Sequence, residues 1–336
     1  VPVSIKDIAQ AANVTPGTVS RALRDSPRVN PDTKKRIQHL ADAMGYTPDA
    51  LARSLVTGRT QTVGVVVTTI ADPFIGTLVQ TVESAAHEQG YTVILASSNN
   101  MPEREIEAVK MLQSRRVDGV IVASSRLGAL YQERLDQLRV PVVLINSLAE
   151  QTGRHTASVS VDNHDGGQQA TSHLIRKGHR RIAYVTAPAG RRDSEARLAG
   201  YRDALAGAGI AYDPSLVVQG TGRAGGGQQA LHTLLSLDES PSAVFCYNDM
   251  TAIGLMDAAR EAGLSVPDDL AAVGFDDIAF ARFAYPPLTT IAQPMGKLGR
   301  GAMEMVLALL SEDEGSEPPA TNVTVRGRLI KRASSG

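Results

Sequence analysis

The chain has 336 residues, 43% of them hydrophobic and 21% charged, with a net charge of −1 and one cysteine, Cys246. That length supports more than one core, a single thiol excludes an internal disulfide framework and points to a reducing cytoplasm, and no apolar run is long enough to span a membrane. Residues 1–60 carry nine Lys or Arg against five Asp or Glu, while the remainder is net −5, so an anionic partner is expected for the N-terminal piece alone.

In SIKDIAQAANV the apolar Ile5, Ile8, Ala9 and Ala12 recur at helical spacing. Asn13 suits a tight turn. Thr15 then reads as an N-cap with Pro16 at the first helical position, and GTVSRAL turns Val19, Ala22 and Leu23 inward. Two short helices joined this way form a helix-turn-helix. A third helix starts at Asn30-Pro31, buries Ile37, Leu40, Ala41 and Met44, and stops at Gly45.

The exposed face of the second helix fits the DNA major groove. Arg21 is the candidate for bidentate contact with guanine. Pro16 and Gly17 lie at the helix start, where base edges are met by close backbone approach or apolar contact. Thr15, Thr18, Ser20, Arg24, Arg28 and Lys34 are placed on phosphates or in support.

ALARSLV, after Pro48, is a helix of about two turns with no core of its own. It is expected to order only when covered by DNA or by a second copy. Ala52, Arg53, Leu55 and Val56 are its minor-groove candidates, with Leu55 the wedge.

From Thr62 strands alternate with helices, and the Val/Ile runs predict parallel strands covered on both faces. The pattern is written twice, giving two doubly wound lobes with a cleft between them. The domains are thus a headpiece at 1–47, a hinge at 48–60 and a ligand-binding body at 61–336. The first lobe takes about 61–161 plus 293–322, the second about 162–292 plus 323–336. The helix after LTTIAQP is expected to cross back to the first lobe. TNVTVRGRLIKRASSG should give a final strand pair and a frayed tail.

Strand ends aim Asp72, Phe74, Asn99, Ser124, Arg191, Asp193, Arg197, Asn248, Asp276 and Gln293 at the cleft. Carboxylates, amides and arginines around an aromatic ring suit a sugar or sugar derivative, and the same set also fits a purine. The GTGRAG at 220–225 matches a dinucleotide motif literally, but no acidic residue ends the next strand, so it reads as a strand-to-helix turn. The scattered histidines form no metal site, and Asp276 and Asp277, being adjacent, diverge too far for paired acid–base work. No cofactor, metal or catalytic residue is expected.

The blocks SIKDIAQAANVTPGTVSRALRDSPRVNPDTKKRI and GYTPDALARSLVTGRT resemble the lactose-repressor family of bacterial transcription regulators. So do DPF, VDGVIV, DNHDGG, GHRRIAYV, RLAGY, FCYND, VGFDD and LTTIAQP, in that order. The resemblance implies a non-enzymatic, ligand-responsive repressor. Its homodimer binds a pseudo-palindromic operator, and its body looks like a periplasmic sugar-binding protein with three crossovers. It places Pro16, Gly17 and Arg21 on bases, Ala52 and Leu55 in the minor groove, and Asp72, Phe74, Arg197, Asn248 and Asp276 on the effector. Arg191 matches a purine-contacting position. With no heptad tail after LIKRASSG, a dimer is favoured over a tetramer. The start VPVSIKDIAQ lacks the features of a secretory signal, so a cytoplasmic, nucleoid-associated protein is expected. The competing readings are a solute receptor or sugar-processing enzyme built on the same body, a purine- or nucleoside-responsive regulator, and a DNA-binding scaffold with an empty body.

Overall fold

The computed structural model describes residues 3–46, 54, 58–123, 140–147, 156–311 and 322–336. It divides into two units, residues 1–60 and 61–336. The expected hinge residues Ala52, Arg53, Leu55 and Val56, and the cleft candidate Ser124, lie outside the described residues.

In the first unit, α1 (Ile5–Ala11), α2 (Pro16–Leu23) and α3 (Pro31–Ala43) follow the predicted boundaries closely. Asp7 accepts from the Ser4 backbone N–H at 2.8 Å and so caps α1. Asn13 takes a φ of 48°, the left-handed turn that Asn tolerates. Thr15 Oγ1 accepts from Thr18 N at 3.2 Å, and Asn30 Oδ1 from Asp32 N at 2.9 Å. Ile8, Ala9, Ala12, Val19, Ala22, Val29, Ile37 and Ala41 form the buried core, with Leu40, Met44 and Tyr46 packed at its edge.

In the second unit the first sheet has the order β2-β1-β3-β4-β5-β11. Its strands are β1 (Thr62–Val67), β2 (Thr92–Ser97), β3 (Gly119–Ala123), β4 (Val142–Ile145), β5 (Thr156–Val161) and β11 (Asn322–Val325). The second sheet runs β7-β6-β8-β9-β10-β12. It contains β6 (Ile182–Thr186), β7 (Val217–Gln219), β8 (Ala243–Cys246), β9 (Ala271–Asp276), β10 (Thr289–Ala292) and β12 (Arg328–Ile330). All neighbours are parallel except β10 and β12. Strands β3, β4, β5, β8 and β9 are buried throughout, as their apolar runs predict. Strand β2 is not: it is an edge, and its Leu95 stays 43% exposed.

The chain changes lobe after β5, after β10 and after β11, three crossovers as expected. The helix Met295–Leu310 does return to the first lobe, against Pro73–Glu88 and strands β3 to β5. Two expectations at the C-terminus need correction. The last two strands do not pair with each other: Asn322–Val325 continues the first sheet beside β5, so the second lobe resumes only near Arg328 rather than at 323. The tail is docked rather than frayed, with Ser334 and Ser335 buried. Ser334 Oγ donates to Ala272 O and accepts from Thr289 N, and Ser335 Oγ bonds His173 Nε2 at 2.8 Å. A polar tail carries no apolar periodicity to announce such docking.

Candidate DNA-reading helix and interlobe cleft

On the first unit Thr15, Pro16, Gly17, Arg21, Arg24 and Arg28 are exposed, and Thr18, Ser20 and Lys34 half-buried. The Arg21 and Arg24 Nε atoms each donate to a carbonyl one turn back, Gly17 O and Ser20 O, at 3.1 Å. A Cβ built on Gly17 meets nothing closer than 3.9 Å, so packing within the protein does not demand glycine there. Lys34 Nζ is engaged by Asp25 Oδ1 at 2.6 Å, which competes with a phosphate role. Arg36, absent from the sequence-based set, donates to Ala12 O at 3.0 Å and satisfies the end of α1.

Between the lobes lies a cavity of about 540 Å³. Its lining brings together Asp72, Phe74, Arg191, Asp193, Arg197, Asn248, Asp276 and Gln293, all anticipated from strand ends. Asn99, with a φ of 51°, is not in the lining; its neighbour Asn100 is. The sequence reading also missed Asn146, Tyr247 and the turn Thr221–Gly225. That turn is the GTGRAG segment, a strand-to-helix connection as read, and it forms part of the cleft wall. Its position after a strand of the doubly wound sheet was the available signal. Tyr247 looked like the end of an apolar strand, and Asn146 like an ordinary turn residue.

Several cleft residues are fixed by helix caps. Asp72 Oδ1 accepts from Phe74 N at 2.9 Å, and burial pushes its carboxyl upward. Asn248 Oδ1 accepts from Thr251 N at 2.9 Å, while its amide donates to Gly222 O at 2.9 Å. Arg191 grips Asp193 with two bonds, of 3.0 and 2.7 Å, and Tyr247 donates its hydroxyl to Asp193 Oδ2 at 2.6 Å. Burial opposes ionisation of Asp193, yet Arg191, Arg197 and the Tyr247 hydroxyl hold its carboxyl well below the usual carboxylate range.

Arg197 is 3% exposed, its guanidinium 3.5 Å from the Phe275 ring centre and 4.6 Å from that of Tyr247. Its Nε donates to Asn163 Oδ1 at 2.9 Å and its Nη1 to Tyr247 O. Asp276 Oδ1 accepts from Gln293 Nε2 at 2.7 Å. Burial pushes the Asp276 carboxyl well up, Arg197 opposes this, and Asp249 and Asp72 reinforce it. A second cavity of about 320 Å³ shares Asn146, Arg191 and Asp193 with the first. Among the described residues no three His, Cys, Asp or Glu side chains cluster to hold a metal, and no helix is long and apolar enough to cross a membrane.

Residues 4–49 match bacterial regulatory proteins of the lacI family, and residues 171–335 match the periplasmic binding protein-like domain. The HTH-type transcriptional repressor PurR of Vibrio campbellii is 35% identical over 313 residues, covering 93% of each chain. The HTH-type transcriptional repressor CytR of Escherichia coli strain K12 is 33% identical over 334 residues, 99% of this chain and 96% of its own. Among solved structures, the lac repressor dimer bound to operator and the anti-inducer ONPF matches with a TM-score of 0.88 at 27% identity, over 100% of this chain and 99% of that one. A complex of the transcriptional regulator CelR with cellobiose matches at 0.74 and 32% identity, over 99% of this chain and of that one.

Proposed function

Because the chain belongs to the lacI family of bacterial regulatory proteins, we propose that it is a cytoplasmic, nucleoid-associated repressor whose grip on a pseudo-palindromic operator is set by a sugar or sugar derivative in the interlobe cavity. It acts as a dimer, with one α2 from each copy in the major groove and the segment around Ala52–Val56 in the minor groove between them. The lac repressor dimer on its operator supports the DNA and dimer assignments, and the CelR–cellobiose complex supports the ligand class.

The observation that carries the sugar reading is the clamped guanidinium of Arg197. With Phe275 and Tyr247 against it, Arg197 has little face to stack on a ligand and offers its remaining nitrogen, Nη2. Asp276, in the same cavity lining, keeps Oδ2, since Gln293 takes only Oδ1. One donor and one acceptor at a cavity wall suit neighbouring hydroxyls, and Phe74 supplies an apolar surface for a sugar ring. A purine fits less well: Arg191, the matching purine-contacting position, is already held two-fold by Asp193, and reading a base would cost that pair.

Effector binding changes the angle between lobes, alters the spacing of the two hinge segments and so changes the affinity for DNA, by about 1–3 kcal/mol in a typical case.

Calorimetry with neutral sugars, sugar phosphates, nucleosides and purines tests the reading. A sugar-class compound is expected to bind the wild-type chain and to lose at least tenfold in affinity with Arg197→Met. Binding confined to purines or nucleosides would replace the sugar reading with the second one, and turnover of a bound sugar would revive the enzyme.

A further inference from the structure

We infer that Asn146 and Gln293 are positioning residues that carry the state of the cavity carboxylate Asp276 to the first crossover, through three hydrogen bonds with only one allowed sense. The inference rests on reading the interlobe cavity as the effector site and names how that site communicates with the connections between the lobes.

Asp276 Oδ1 accepts from Gln293 Nε2 at 2.7 Å. Gln293 Oε1 accepts from Asn146 Nδ2 at 2.9 Å. Asn146 Oδ1 accepts from the backbone N–H of Val161 at 3.0 Å. A backbone N–H only donates, so Asn146 must turn its oxygen to Val161 and its nitrogen to Gln293 Oε1, which leaves Gln293 Nε2 to donate to Asp276 Oδ1, an oxygen that accepts whether or not the carboxyl is ionised. Turning either amide sets oxygen against oxygen and nitrogen against nitrogen.

The elements explain why these groups meet. Asn146 follows β4 with a φ of 53°, a left-handed conformation in which Asn is at home, and its own N–H is held by Val159 O at 3.0 Å. Gln293 follows β10 at the second crossover. Val161 is the last residue of β5, where the first crossover begins. The relay thus joins a second-lobe carboxylate to first-lobe strand ends and touches two of the three connections. Asp276, Gln293 and Val161 are 7%, 6% and 2% exposed, so a broken link is poorly replaced by water and its loss is felt by the next group. A ligand that draws Asp276 away from Gln293 frees that amide, and the freed amide alters what holds Asn146 and Val161.

Amide hydrogen exchange on the full-length chain without ligand tests this. Asp276→Ala is expected to raise the exchange rate of the Val161 N–H about tenfold while the central amides of β3 and β8 keep their protection. Asp276→Asn retains an accepting oxygen and is expected to restore Val161. Asn146→Gly keeps the backbone conformation available and removes the middle link, so it is expected to expose Val161 by itself, with Asp276→Ala adding nothing on that background. Unchanged Val161 exchange in Asp276→Ala overturns the relay. So does an equal further increase on the Asn146→Gly background, because the effect would then travel by another route. No ligand enters the measurement, so its failure is separate from a failure of the effector reading, which calorimetry decides.

Discussion

Asp276 and Asp277 take φ values of 121° and 56° in succession, a conformation that strains non-glycine residues by about 1–3 kcal/mol each. The surroundings hold them there. Arg332 Nη2 bonds Asp277 Oδ1 at 2.6 Å and its Nη1 bonds Leu288 O at 2.7 Å, while Asp249 Oδ2 accepts from Ile278 N at 2.9 Å. The docked tail, through Arg332, therefore helps aim the cavity carboxylate of Asp276. Strand-end residues such as Asp276 and Asn248 were legible in the sequence, because a polar side chain that closes a buried parallel strand has a cleft to face. Asn146 and Tyr247 were not, because their roles depend on partners 147 and 54 residues away. On the exposed face of α2, the proposed DNA surface, Arg21 spends only Nε on Gly17 O and keeps both terminal nitrogens for a base. Arg21→Ala is expected to cost about 1–3 kcal/mol of operator affinity while leaving affinity for random DNA and for effector nearly unchanged. Titration of both DNAs at one salt concentration checks it, and an equal loss on both would make Arg21 a phosphate contact.

At the scale of elements, the second lobe uses one device twice. Helices Asn163–Arg176 and Arg192–Gly207 cross where Gly167 lies on the Arg197 backbone and Gly200 on that of His164 and Gln168, and Ala224–Leu235 and Asp249–Glu261 cross where Gly227 lies on the backbone of Thr251 and Leu255 and Gly254 on that of Ala224. A Cβ on Gly200 would lie 2.0 Å from His164 O and 2.7 Å from Gln168 N, both backbone atoms that cannot step aside. Gly200→Ala is expected to destabilise the body by about 2–3 kcal/mol through overpacking. Gly76, exposed inside the helix Pro73–Glu88, meets nothing within 4 Å, so Gly76→Ala should stabilise by about 0.5–1 kcal/mol. Urea denaturation of the two variants separates the cases, and equal effects would mean that the helices adjust at Gly200. The helices themselves were legible from periodicity and caps. Their close crossings were not, because a glycine inside a helical pattern reads the same whether it is crowded or exposed.

For the whole molecule, the two-lobed architecture followed from long buried strands that leave no face for water, whereas the route of the C-terminus depended on backbone pairing that no side-chain pattern encodes. Buried titratable groups at several points of the second lobe then set how stability varies with pH, and they pull in opposite directions. Burial, with Lys331, Arg176, Lys177 and His179 nearby, lowers His173 from 6.5 to about 4. Between those values the unfolded chain binds a proton that the folded one refuses, so this residue makes stability fall as pH drops from 6.5 towards 4. Asp249 acts the other way. Burial raises its carboxyl above 3.8 despite bonds from Thr290 and Ile278, so its folded form holds a proton longer and stability falls as pH rises above 3.8. Asp276 and Asp72, also raised by burial, act in the same sense as Asp249. The wild-type chain is expected to show a shallow profile between pH 4 and 6.5. His173→Gln should remove the opposing contribution and make the protein more stable at pH 5 than at pH 7 relative to wild type, by roughly 1–2 kcal/mol. Asp249→Asn should shift the balance the other way and steepen the loss on acidification. Denaturant midpoints for the three chains at pH 5, 6 and 7 check both signs, and parallel profiles in wild type and His173→Gln would mean that the imidazole titrates alike in the folded and unfolded chains.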